Sequence, residues 1–217
     1  MRGRFPDPRS ADADGLVALG GDLEPGTLLE AYRSGIFPWP VEDFPILTWF
    51  SPDPRGVIFP SELHVPRSLF RALRREPYRY TVDRAFGQVI RGCASVARKP
   101  LGTWLTPQMI GAYVRLHELG HAHSVEVWRG DELVAGIYGI GTDRVFSAES
   151  MFRREDDASK AALVYLVEHA GEAGYELVDV QVMSSHVAAL GGREIPREEY
   201  LRILGYASSS ERSPRKR

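Results

Sequence analysis

Three β-rich runs, at residues 123–128, 133–140 and 144–150, follow one another with almost nothing between them. Arg129-Gly-Asp131 and Gly141-Thr-Asp143 separate them, and both carry the Gly and Asp that tight turns favour. Runs joined by so few residues pair side by side in opposite directions, because a parallel connection needs a dozen residues or more. An antiparallel meander is therefore expected. A long helix over 157–173 follows, then a strand over 177–182 and a short helix over 185–190 closed by Gly191-Gly192.

Upstream, helical spacing marks 66–75, 85–93 and 106–119, the last with Pro107 in its first turn and Gly120 at its end. A last helix is expected over 196–204. The order of helices, meander, long helix, strand and helix is that of an N-acetyltransferase-like α/β fold. Residues 1–60 read as a small N-terminal domain of a different character. A loose arm precedes a short helix over 27–34. Ile36-Phe-Pro-Trp-Pro40 then holds Trp39 between two prolines on a stiff loop, and a strand over 46–50 ends at Ser51-Pro-Asp-Pro54. The expected organisation is α/β (α+β): residues 1–60, a larger acetyltransferase-like domain with a mixed central sheet over 61–207, and a tail over 208–217 of disordered composition.

Composition sets the class. Hydrophobic residues make up 43% of the 217, enough for a core. A net charge of −2 neither announces nor excludes a nucleic-acid partner, since local clustering of basic residues decides that. The single cysteine, Cys93, precludes an internal disulfide. The first residues lack the apolar core of a signal peptide, and no apolar run reaches the roughly 20 residues that span a bilayer. A cytoplasmic protein with no membrane partner is expected.

Asp179-Val-Gln181 carries the sharpest chemical signal. On an extended strand, residues two apart project from one face. A carboxylate and an amide among Leu, Val and Met cost desolvation free energy, which points to a use for the pair. With Glu149 of Phe146-Ser-Ala-Glu-Ser-Met-Phe152 on the same cavity, two acids and an amide would line an apolar pocket suited to a cationic substrate and a reacting amine. The plainer alternatives are an Asp that caps a helix, a Gln that satisfies buried backbone, and a Glu149 paired with Arg153.

Several long runs together resemble the leucyl/phenylalanyl-tRNA–protein transferase family. They are Gly15-Leu-Val-Ala-Leu-Gly-Gly-Asp-Leu23, Ala31-Tyr-Arg-Ser-Gly-Ile-Phe-Pro-Trp39, Trp49-Phe-Ser-Pro-Asp-Pro-Arg55, Leu116-His-Glu-Leu-Gly-His-Ala-His-Ser124, Ala148-Glu-Ser-Met-Phe152, Asp157-Ala-Ser-Lys160 and Glu194-Ile-Pro-Arg197. The resemblance covers residues 15–204. It implies a monomeric cytoplasmic enzyme of the N-end rule without metal or other cofactor. Its substrates would be Leu-tRNA or Phe-tRNA and proteins with N-terminal Arg or Lys.

The resemblance also implies roles. Asp179 and Gln181 would orient and activate the attacking amine, although a neutral amide is a poor base. Glu149 would hold the cationic acceptor. Ile137, Phe146 and Met151 would line the donor side-chain pocket, with Ile137 standing where the family commonly has a more flexible Met. Trp39 and Trp104 would contact the 3′-terminal adenosine, and Arg67, Arg71, Arg74 and Arg75 the tRNA backbone.

Rival readings make their own demands. A CoA-dependent acetyltransferase needs a glycine-rich pyrophosphate loop, which Gly139-Ile-Gly-Thr-Asp143 does not provide. His117-Glu-Leu-Gly-His121 has the pattern of a zinc hydrolase, but that motif needs both histidines on one face of a continuing helix, and Gly120 breaks it. A non-catalytic tRNA-binding protein would not need Asp179 and Gln181 together in an apolar pocket.

Overall fold

The computed structural model describes residues 5–41, 46–75, 78–96 and 105–206. In chain order the elements are β1 (Leu16–Leu19), α1 (Pro25–Arg33), β2 (Phe37–Pro38), β3 (Thr48–Phe50), β4 (Arg55–Ile58), α2 (Arg67–Arg75), β5 (Arg79–Val82), α3 (Phe86–Ser95), α4 (Pro107–Glu118), β6 (Ala122–Arg129), β7 (Glu132–Gly141), β8 (Val145–Arg153), α5 (Ala158–Glu172), β9 (Leu177–Gln181), α6 (Ser185–Ala189), β10 (Arg193–Ile195) and α7 (Arg197–Leu204). Residue 104 and the tail from 208 lie outside the described residues.

Among the described residues the strands form two sheets. A small one has the order β1-β3-β2, and a larger one the order β10-β4-β9-β8-β7-β6-β5. The expected meander is β6, β7 and β8, paired antiparallel over nearly their full length. β9 lies parallel to β8, the long helix α5 serving as the crossover that a parallel pair requires. The remaining pairs in this sheet are antiparallel, so the sheet is mixed. β4, on the N-terminal side of the boundary expected at residues 60 and 61, is hydrogen-bonded into this larger sheet between β10 and β9.

Helices cover both faces of the large sheet. On one side α1, α3 and α4 pack over Leu133, Tyr138, Ile140 and Phe152. On the other, α5 buries Ala158, Ala162, Leu166 and Val167 against Val125, Ile137, Phe146 and Val178, and Leu69 of α2 joins the same cluster. A third cluster seats Tyr200, Leu201 and Leu204 of α7 against Val57, Val145 and Leu177. Local chemistry sets the helix starts that matter for the site. Thr106 caps α4 by accepting from the Met109 N–H at 3.2 Å, and Ser184 caps α6 by accepting from the Val187 N–H at 3.3 Å. Gly35 ends α1 at φ 72°, and a Cβ there would lie 2.7 Å from the Leu201 side chain. Only glycine makes that turn, which sends the chain into β2 and on to Trp39.

Two irregularities open the sheet. Register shifts between β7 and β8: Tyr138 faces Ser150 but Gly139 faces Ala148, which leaves Glu149 as the extra residue of a bulge. β8 and β9 pair only from Val145–Leu177 to Ser147–Asp179, after which the two strands part.

Candidate active site

A cleft of about 280 Å³ occupies the gap where β8 and β9 separate. Phe37, Pro38 and Trp39 form one wall, and Trp39 stands at the rim with 41% of its surface exposed. Ile137, Met151, Leu163, Val180 and Val187 supply apolar lining; Glu149, Ser150, Gln181 and Ser184 supply the polar groups. The structure thus brings together five residues expected from the sequence: Trp39, Ile137, Glu149, Met151 and Gln181.

The bulge aims Glu149 across the gap. Its Oε1 accepts a hydrogen bond from Gln181 Nε2 at 3.0 Å, and its Oε2 accepts one from the Tyr113 hydroxyl at 3.3 Å. The Tyr113 and Tyr32 hydroxyls lie 2.7 Å apart behind it. Burial pushes the Glu149 carboxyl up to about 8, reinforced by the charge of Asp179 and partly offset by Tyr32, Tyr113 and Arg55. Burial, then the charge of Glu149, holds the Tyr32 and Tyr113 phenols well above their ordinary value, so both stay neutral donors. With Gln181 Nε2 directed at Glu149, the amide oxygen is left for a donor in the cleft.

Asp179 corrects an expectation. It is fully buried and does not line the cleft. Arg55 grips it bidentately, Nε to Oδ1 at 2.8 Å and Nη2 to Oδ2 at 2.6 Å. Oδ2 also accepts from Ser147 Oγ at 3.2 Å and the Tyr200 hydroxyl at 3.0 Å, and Oδ1 from the Gln181 N–H at 2.9 Å. A carboxylate so occupied cannot contact an acceptor amine. The one-face argument holds only while the strand stays extended, and Gln181 has φ 59°, in the left-handed region. The chain turns at Gln181, sending the amide into the cleft and leaving the carboxylate behind it.

Arg55, Tyr32, Tyr113 and Tyr200 escaped the sequence reading as site residues. Arg55 is 1% exposed, its guanidinium 4.8 Å from the Phe37 ring and 4.5 Å from the Tyr200 ring. Burial is the strongest single influence and would depress its pKa; the charge and hydrogen bonds of Asp179, together with Tyr200 and the charge of Glu149, outweigh burial and leave the pKa above its ordinary value. A signal was available in an arginine heading the apolar run Gly56-Val-Ile-Phe59. The tyrosines look like ordinary core until their hydroxyls are placed.

Phe146 is also corrected. It lies two residues along β8 from Ala148, toward the other end of the sheet, with its ring edge-on to Tyr175 at 5.7 Å. It lines a separate cavity with His123, Leu166 and His169 instead of the cleft. Trp104 falls outside the described residues. Arg67, Arg71, Arg74 and Arg75 lie on the exposed surface of α2, whose Leu69 is anchored in the core, and none of them borders the cleft.

The histidine motif splits at a helix end. His117 lies in the last turn of α4, its ring stacked on Phe86 at 4.3 Å and its Nδ1 2.8 Å from the Ala122 carbonyl oxygen; His121 falls beyond the helix. Asp83 accepts from the Ser124 N–H at 2.8 Å and meets His123 Nδ1 at 2.7 Å. Among the described residues no group of three or more His, Cys, Asp or Glu side chains could hold a metal ion.

Comparison with known proteins adds an independent observation. A family model described as leucyl/phenylalanyl-tRNA protein transferase matches residues 57–205, and a model of that family's N-terminal domain matches residues 21–53. A leucyl/phenylalanyl-tRNA–protein transferase of Shigella flexneri serotype 5b is 55% identical over 203 residues, spanning 92% of this chain and 85% of the relative. Like-named proteins of Anaeromyxobacter sp. strain K and Shewanella woodyi are 55% and 49% identical, over 94% and 93% of this chain and 87% and 86% of theirs. Among solved structures, L-PGS from Bacillus licheniformis superposes with a TM-score of 0.46 at 14% identity, over 61% of this chain and 46% of that one. A GCN5-related N-acetyltransferase from Kribbella flavida gives 0.42 at 15% identity, over 80% and 61%.

Proposed function

The chain belongs to the leucyl/phenylalanyl-tRNA–protein transferase family, aminoacyltransferases that move leucine or phenylalanine from aminoacyl-tRNA to the N-terminal Arg or Lys of a protein, and we propose that the cleft between β8 and β9 is where this chain does so. The acceptor's α-amine attacks the ester carbonyl carbon. A C–N bond forms, the C–O bond to the 3′-terminal ribose breaks, the amine gives up a proton and the ribose oxygen takes one. An α-amine has a pKa of about 8, so a useful fraction is neutral near pH 7, and positioning supplies much of the acceleration.

The observation that carries the assignment is the Glu149–Gln181 pair at 3.0 Å, facing an apolar hollow walled by Ile137 and Met151 and rimmed by Trp39. Ile137, Met151, Leu163 and Val187 take the donor's leucyl or phenylalanyl side chain. Trp39, with Trp104, stacks on the 3′-terminal adenosine. The Gln181 amide oxygen accepts from the attacking amine, and Glu149 in its ionised form attracts the cationic start of the acceptor, bidentately for Arg and as a point charge for Lys. Asp179 acts through Gln181. The arginines of α2 meet the tRNA backbone, contributing affinity without reading sequence. The enzyme works as a monomer in the cytoplasm, and its product, headed by a bulky hydrophobic residue, enters N-end rule degradation.

Labelled leucine supplied as Leu-tRNA tests this. Label is expected on a peptide beginning with Arg and absent from one beginning with Ala. Equal labelling of both peptides, or of neither, overturns the assignment.

A further inference from the structure

We infer that Arg55 is a positioning residue for aminoacyl transfer, holding Asp179 so that Asp179 in turn holds the backbone of Gln181 in the conformation that aims its amide into the cleft. The inference rests on the reading of that cleft as the transfer site.

Three observations carry it. First, Gln181 adopts φ 59°, where an L-residue with a long side chain is strained, and such strain persists only when the surroundings over-determine it. Two contacts hold it: the Val182 N–H donates to the Val180 carbonyl at 2.7 Å across Gln181, and the Gln181 N–H donates to Asp179 Oδ1 at 2.9 Å, on the oxygen that Arg55 Nε grips at 2.8 Å. Second, the register of β4 against β9 shifts between Gly56 and Val57, opposite Gln181 and Asp179. The distortion therefore sits beside the strand position that carries Arg55. Third, the guanidinium reaches the opposite wall as well. It lies against the Phe37 ring, and its Nη1 donates to the Gly35 carbonyl at 3.3 Å, at the turn leading to Trp39. One planar cation thus touches the wall bearing the rim tryptophan and the strand bearing the amide.

The geometry needs a fork. Two parallel N–H bonds fix the rotation of the Asp179 carboxylate, and that rotation decides whether Oδ1 faces the Gln181 N–H. Lysine offers a single compact ammonium and cannot fix it. Tyr200 gives a milder perturbation. Its hydroxyl steadies Asp179 Oδ2 at 3.0 Å, and its ring would remain in Tyr200→Phe to face the guanidinium.

Steady-state transfer from Leu-tRNA to an Arg-led peptide is measured for the wild type, Arg55→Lys, Tyr200→Phe, Gln181→Ala and the Tyr200→Phe/Gln181→Ala pair. Arg55→Lys should lower kcat roughly 10- to 100-fold, as small misplacements of reacting groups do, with both KM values little changed. Tyr200→Phe should lower kcat by less, and its effect should vanish in the Gln181→Ala background to within about twofold. Losses that multiply in the double variant, or that fall on KM alone, overturn the inference. Should Arg55→Lys fail to fold, the Tyr200 and Gln181 cycle still decides. A wild-type chain inactive on both Arg- and Ala-led peptides would instead overturn the assignment of the reaction, and this inference with it.

Discussion

Glu149 Oε1 and Gln181 Nε2 meet at 3.0 Å across a gap in the sheet, and each is there because its strand departs from regular β geometry. Glu149 is the extra residue of a bulge; Gln181 takes a left-handed conformation at the end of β9. The two irregularities face one another, and the expected effects of substitution start from that pairing.

Glu149 makes the fold sensitive to alkali. Burial raises its carboxyl from 4.5 to about 8, so the folded chain holds that proton more tightly than the unfolded one. The stabilisation is complete below the unfolded value and is lost as pH rises through about 8. Glu149→Gln, permanently neutral, should lack this dependence. Urea unfolding of both proteins across that window should show the wild type losing stability relative to the variant as pH rises. Over the same window the KM for an Arg-led peptide should fall in the wild type and stay flat in Glu149→Gln.

Asp179 and Gln181 should separate on substitution. Asp179→Ala leaves the buried Arg55 cation unpaired, a loss of about 3–5 kcal/mol by denaturant unfolding. Gln181→Ala removes a side chain at the cleft wall and should cost much less stability. Both should lower kcat more than tRNA affinity. Equal stability losses would contradict the placement of Asp179 behind the cleft.

The exposed arginines of α2 should govern RNA binding alone. Arg74→Ala and Arg75→Ala are each expected to weaken tRNA affinity with kcat at saturation retained. Each lost phosphate contact should flatten the slope of log K against log salt by about 0.7–0.9. Filter binding over a salt series measures both effects.

Ile137 should tune the donor. It is 3% exposed and lines the cleft with Met151. Ile137→Met keeps apolar volume while replacing a stiff branched side chain with a flexible one, at a stability cost below about 1.5 kcal/mol. The ratio of kcat/KM for Phe-tRNA to that for Leu-tRNA should rise, as competition between the two charged tRNAs would show. An unchanged ratio would remove Ile137 from the donor pocket.

The meander was legible because Gly and Asp mark its turns, and α5 because its apolar residues recur at helical spacing. Glu149, Gln181, Ile137, Met151 and Trp39 could be placed on one site because the family resemblance supplied their roles. What could not be read were departures from regularity. Nothing in Ala-Glu-Ser marks a bulge at Glu149, and a glutamine gives no hint of a left-handed backbone, which is the reason Asp179 was expected in the cleft. β4, β5 and β10 are short, and β4 and β10 carry Gly56 and Glu194, which favour strands weakly, so long-range pairing decides them and local pattern does not. Arg55 stands out only as the head of an apolar run until β9, arriving from far downstream, brings Asp179 to it.

That separation has a consequence for the birth of the protein. Arg55 and Asp179 stand 124 positions apart, and β9 is inserted between strands made much earlier. A copy still on the ribosome and lacking β9 already contains Trp39, Ile137 and Met151, yet has neither the amide nor the partner that neutralises the Arg55 charge. β9 begins at residue 177 of 217, so Arg55 gains its carboxylate partner, and the sheet its strand between β4 and β8, only when the last fifth of the molecule is made.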